Sequence, residues 1–177
     1  MPMDRTASGD FSALISRIES AALRAVVDHW RQARAAKPMP GWSDLSPSAI
    51  APYLKQLWAF RYDRQTAEFT ARLAGSRVVV GFGDSFRGTP LKRLHPPHVF
   101  QLAQEHMSKV VLDPAIYRCS GKIFKVGEHV IEGERIILPL ASNGHHGDGV
   151  LGATEFVFQG VSGPIELLCE NLEWFSI

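Results

Sequence analysis

A chain of 177 residues is the size of one domain with a short extension, and it can bury enough apolar surface to fold without disulfide or metal staples. Nineteen Lys and Arg against 18 Asp and Glu leave a net charge of +1, which gives no electrostatic footprint for nucleic acid or an anionic membrane. An apolar share of 45% with 10% aromatics excludes a disordered or fibrous chain.

Two cysteines, Cys119 and Cys169, are too few for a disulfide framework and point to a reducing compartment. The opening MPMDRTASGDF lacks the apolar core of a secretory signal, and no apolar run approaches the ~18 residues needed to span a bilayer. The expected location is cytoplasmic.

From Phe11 the apolar positions Leu14, Ile15, Ile18, Ala22, Val26, Trp30 and Ala33 recur every three or four residues. That spacing predicts one long amphipathic helix from Phe11 to about Lys37, capped by Asp10 or Ser12 and stopped by Pro38 and Pro40. Residues 1–40 therefore read as a helical extension and 41–177 as the main domain, with a Pro/Ser/Gly connector between them. Ser46-Pro47 opens a short helix through about Leu54.

Trp58–Tyr62 and Phe69–Leu73 alternate in polarity around a polar turn and predict an antiparallel strand pair. Residues 97–112 place Val99, Ala103, Met107 and Val110 on one side of a helix that Asp113-Pro114 ends. Three further strands are expected at about Ile116–Val126, His129–Ser142 and Val150–Gln159, the last two joined by the turn GHHGDG. The tail from Ile165 is amphipathic and fits either a strand or a helix.

The predicted class is α+β, with a five-stranded antiparallel sheet and a helical cap. Ile136, Ile137, Leu138, Pro139 and Leu140 are apolar on both faces of their strand, so something must cover the second face. The N-terminal helix or a dimer mate would serve.

The stretch FTARLAGSRVVVGFGDSFRGTPLKRL resembles the core signature of bacterial PAS-type domains, in particular the single-domain PAS group of alphaproteobacteria. LRAVVDHWRQAR, the segment from Pro40 to Leu54, ERIILPLAS and VLGATEF extend the resemblance over roughly residues 20–158. It implies a PAS-like five-stranded sheet in β-β-α-β-β-β order, a helical conformation for Arg77–Phe82, and a sensory or protein-interaction role usually without catalysis. No output module fits in 177 residues, so signalling would pass through a partner chain.

Gly81 and Gly83 begin a GxG after Val78–Val80, but Phe86 stands where a dinucleotide fingerprint needs its third glycine, and no βαβ unit surrounds it. His106 on the long helix is a candidate axial ligand for haem, against the plainer role of a core-edge histidine. His145, His146 and Asp148 sit in a glycine-flanked turn, which reads as a solvated tip and not a metal site. Glu132, Glu134 and Arg135 read as a surface strand with a cross-strand ion pair.

Phe60, Leu73, Phe82, Phe86, Leu91, Met107, Tyr117, Ile137 and Phe156 are the expected ligand-binding set, with Phe69 and Ile123 beside them. They would line a cavity between sheet and helices, or simply form a packed core. Arg72, Tyr117, Arg118 and Thr154 are the candidate polar anchors.

The expected function is a stand-alone, non-catalytic sensory module for a small apolar or mixed ligand, signalling to an unknown client protein. Homodimerisation is expected through Leu14, Ile18, Val26 and Trp30. A haem or metal sensor and a small-substrate enzyme acting through His106, Glu105 or Glu134 are the alternatives, and no cofactor is assigned.

Overall fold

The computed structural model describes residues 9–79, 86–157, 160, 163 and 165–177. The Asp10 carboxylate accepts the Ala13 amide at 3.0 Å and starts α1, Phe11–Arg17. The chain then leaves helical geometry at Ile18–Ser20, where the Ser20 hydroxyl accepts the Leu23 amide at 3.2 Å to cap α2, Ala21–Arg34. The single long helix predicted from the apolar spacing is thus two helices. Its break is held from outside, because the Glu134 carboxylate accepts the amides of Glu19 (3.1 Å) and Ser20 (2.9 Å). Helix α2 ends in Ala35 at φ 51, ahead of Pro38.

After a single 3-10 turn at Trp42–Asp44 comes α3, Pro47–Ile50, with Pro at its first position and a second 3-10 turn, Ala51–Tyr53, behind it. Strands β1 (Leu57–Asp63) and β2 (Glu68–Ala74) form the predicted hairpin. Helices α4 (Ser76–Val79), α5 (Leu91–Leu94) and α6 (Pro97–Leu112) follow, then β3 (Ala115–Val126), β4 (His129–Leu140) and β5 (Gly149–Phe156).

The tail is strand and not helix: β6 (Ile165–Leu167) and β7 (Asn171–Ser176) both pair with β3. The sheet is therefore seven-stranded and wholly antiparallel, not five-stranded. Its order is β2-β1-β5-β4-β3, with the two tail strands sharing the free edge of β3. The five-stranded part keeps the order that a PAS-like α+β fold requires.

Two apolar cores lie on the two faces of this sheet. Leu57, Ala59, Ile136, Leu138, Leu140, Leu151 and Phe175 face α1 and α2, where Leu14, Leu23, Val26, Val27 and Trp30 are buried against them. The Trp30 indole N–H donates to the Pro139 carbonyl at 2.8 Å, which fixes α2 on β4. Trp58, Phe60, Tyr62, Tyr117, Ile137 and Val150 face the other way, toward α5 and α6. Burial on both sides explains the continuous apolar run of β4.

This packing places the N-terminal helices against the sheet of their own chain. Leu14, Ile18, Val26 and Trp30 are 0–1% exposed within the chain itself, so the residues expected to form a dimer seam are already covered by their own sheet. The line drawn at residue 40 likewise separates no two cores, since α1 and α2 share one with the sheet.

Strand β2 carries a bulge. Phe60 pairs with Ala71 and Ala59 pairs with Leu73, leaving Arg72 as the extra residue. The alternation shifts there by one, so Phe69 and Ala71 face the inner core while Leu73 packs in the outer one.

Cys119 on β3 and Cys169, in the link between β6 and β7, form a disulfide with Cα atoms 5.7 Å apart. Two cysteines, too few for a disulfide framework, thus make one cross-link between β3 and the tail. Among the described residues no helix is long and apolar enough to cross a membrane.

Candidate functional site

Between the inner face of the sheet and α5–α6 lies a cavity of about 340 Å³. Seven of the residues expected to bind a ligand line it: Phe60, Phe86, Leu91, Met107, Tyr117, Ile137 and Phe156. Phe69 and Ile123 are buried in the same core. Leu73 is not in the wall, because the bulge at Arg72 turns it to the outer face. Phe82 lies outside the described residues, as do Gly81 and Gly83 of the glycine-rich loop.

The expected polar anchors divide evenly. Tyr117 and Thr154 reach the cavity, and the Thr154 hydroxyl accepts the Trp58 indole N–H at 2.9 Å. Arg72 instead lies over the Trp42 ring, 4.2 Å from its centroid. Arg118 is buried on the other face between Glu134 (2.7 Å) and Glu173 (2.5 Å). The Glu132–Arg135 stretch is thus no surface strand: Glu132 is exposed, but Glu134 and Arg135 are each 6% exposed.

Arg135 is the residue that sequence reasoning missed as a cavity group. Its guanidinium lies over the Phe124 ring, 4.6 Å from the centroid, and bonds the Tyr117 hydroxyl. Its Nη2 is buried without a hydrogen-bond partner among the described residues. Burial pulls its pKa below the usual arginine value, and burial pushes the Tyr117 phenol up, so Tyr117 supplies no compensating negative charge. The period-two placement of Arg135 with Ile137 on the inner face of β4 was the available signal.

Helix α6 and the turn before it supply two histidines. His106 is 8% exposed, with its ring 5.1 Å from that of Tyr117 and edge-on to that of Trp174 at 6.2 Å. His95 has its pKa lowered to about 4, first by burial and then by the charge of Arg135. It is therefore a neutral polar group at pH 7. Arg77 at the rim is engaged by Glu155 at 2.6 Å.

Among the described residues no group of three or more His, Cys, Asp or Glu is placed to hold a metal ion. His145 and His146 are exposed, and the Asn143 side-chain oxygen accepts both of their amides in a tight turn. Among the described residues the inner face offers a largely apolar chamber with the buried Arg135, the paired Arg77 at its rim, two hydroxyls and two imidazoles. Such a chamber suits a small molecule with a polar end.

No curated protein and no solved structure matches the chain. A family model described as PAS domain matches residues 18–155, a span that begins just before α2 and ends within β5. With the sheet order and the cavity placed between sheet and helices, that match shows that the chain belongs to the PAS domain family.

Proposed function

We propose that this chain is a non-catalytic sensory module whose inner cavity holds a small ligand and whose N-terminal helices report its occupancy. The family suggests a sensory role. The observation that carries the reading further is the cavity itself, about 340 Å³ of largely apolar space between sheet and helices with Arg135, Tyr117 and Thr154 in its wall. A fully packed core would leave no such volume, since voids larger than a water molecule are few in close-packed interiors.

Strand β4 supplies the route outward. Arg135 is in the cavity wall, and the preceding residue Glu134 holds the start of α2 through the amides of Glu19 and Ser20. A ligand need shift the balance between two packings only by its differential affinity for them, a few kcal/mol. A client chain would meet the outward side of α2, where Arg24, Arg31 and Gln32 are exposed.

The test is binding followed by hydrogen exchange. Octan-1-ol and 3-phenylpropan-1-ol should bind the full chain and change the exchange of amides 19–24, and Ala103→Trp, which fills the cavity, should abolish both effects. Binding that survives Ala103→Trp, or that leaves those amides unchanged, would overturn the proposal.

A further inference from the structure

The chemistry of Arg135 narrows the ligand beyond a small apolar guest. Among the described residues, the two other arginines near this part of the sheet are each paired. Arg77 has Glu155, Arg118 has Glu134 and Glu173 on the opposite face, and no Asp or Glu stands among the described lining residues. Arg135 is buried, stacked on Phe124, bonded to a neutral phenol, and left with Nη2 unsatisfied. A buried cation is costly unless an anion joins it.

The geometry also fixes which anion. Phe124 beneath and Tyr117 beside the guanidinium hold its plane in place. Thr154 is the direct cross-strand partner of Arg135 on β5, so both side chains emerge on one face, about 5 Å apart at their β-carbons. The Thr154 hydroxyl already accepts from Trp58, which leaves its own hydrogen to donate. Two donors side by side on one face of a largely apolar wall match the two oxygens of one carboxylate.

We propose that the cavity takes a monocarboxylate with an apolar chain or ring, its carboxylate seated on Arg135 Nη2 and the Thr154 hydroxyl. A cavity of about 340 Å³ has room for a small organic acid. This rests on the reading of the cavity as a ligand site. It adds the charge of the ligand.

The experiment compares acids with alcohols of the same skeleton: octanoate against octan-1-ol, and 3-phenylpropanoate against 3-phenylpropan-1-ol. Affinities for the full chain are measured by calorimetry at pH 7.5. The acids should bind at least tenfold more tightly than their alcohols. Arg135→Met should erase that preference while the alcohols still bind, and Thr154→Val should reduce it several-fold.

Carbon-13 carboxylate shifts of bound octanoate provide a second readout on the unaltered chain, and they should move from the free value on binding. Equal affinities of acid and alcohol, a preference that survives Arg135→Met, or an unmoved carboxylate shift would overturn the carboxylate assignment alone. Failure of all four compounds to bind at millimolar concentration would overturn the cavity reading together with it.

Discussion

Glu134 and Arg135 are consecutive on β4, and their side chains leave opposite faces of the sheet: one closes an ion pair under α2, the other stands in the cavity. Glu134 accepts from Arg118 at 2.7 Å in a buried setting and from the part-buried amides of Glu19 and Ser20 just before α2. Glu134→Ala would strand Arg118 with only Glu173 and uncap the break between α1 and α2. The expected cost is about 3 kcal/mol, read as a lower urea midpoint at unchanged slope. Replacing both partners, Arg118→Met with Glu134→Leu, should recover most of it.

Arg135 behaves in the opposite sense. Among the described residues no anion compensates this buried cation, so Arg135→Met should stabilise the ligand-free chain by about 1–2 kcal/mol. At about 2–4 °C per kcal/mol for a chain of this size, scanning calorimetry should show Tm rising by several degrees. A falling Tm would mean that the guanidinium stabilises the core on its own.

The pH dependence follows from His95. Its folded pKa of about 4 lies below the ordinary histidine value of 6.5, so between these limits the unfolded chain binds the extra proton. The contribution is complete above about pH 6.5, declines as the pH falls, and is gone below about pH 4, amounting to about 3 kcal/mol at most. In His95→Gln, the loss of unfolding free energy between pH 7 and pH 4 should be smaller than in the parent by about that amount. Parallel pH curves for the two would count against it.

The disulfide closes 50 residues of chain. On loop length alone, its reduction or Cys169→Ser should cost about 2–4 kcal/mol. Urea unfolding with and without dithiothreitol reads this directly. Cys169→Ser should make the two curves coincide.

Gly152 on β5 lies under the Trp58 ring, where a β-carbon would come within 2.0 Å of the indole. Gly152→Ala should therefore displace Trp58, lose its bond to Thr154, and destabilise by about 2 kcal/mol. Tryptophan fluorescence should shift together with the unfolding midpoint.

How much of this was legible in the sequence depended on whether the signal was local. Helix α6 was readable to the residue from Pro97 to Leu112, because its stripe, its opening proline and its Asp113-Pro114 stop all agree. The break at Ile18–Ser20 was not, since apolar spacing runs through it and the group that holds it, Glu134, is 114 residues away.

Leu73 was misplaced by a strict period of two, which a bulge breaks without any glycine to mark it. The burial of Arg135 was masked by its neighbours, as Glu132 and Glu134 make the stretch look like a solvent face. The pairing of Cys119 with Cys169 depended on the tail returning to β3, and the tail had no decided conformation from its pattern.

The family match stops at residue 155, while Ile165 and Leu167 still stand in the chamber wall and Cys169 ties them to β3. A chain shortened to the family boundary would bare the outer rim of β3, leaving unpaired backbone groups that invite sticking to other strands. The residues after 155 thus form part of the chamber wall beyond the span that the family shares.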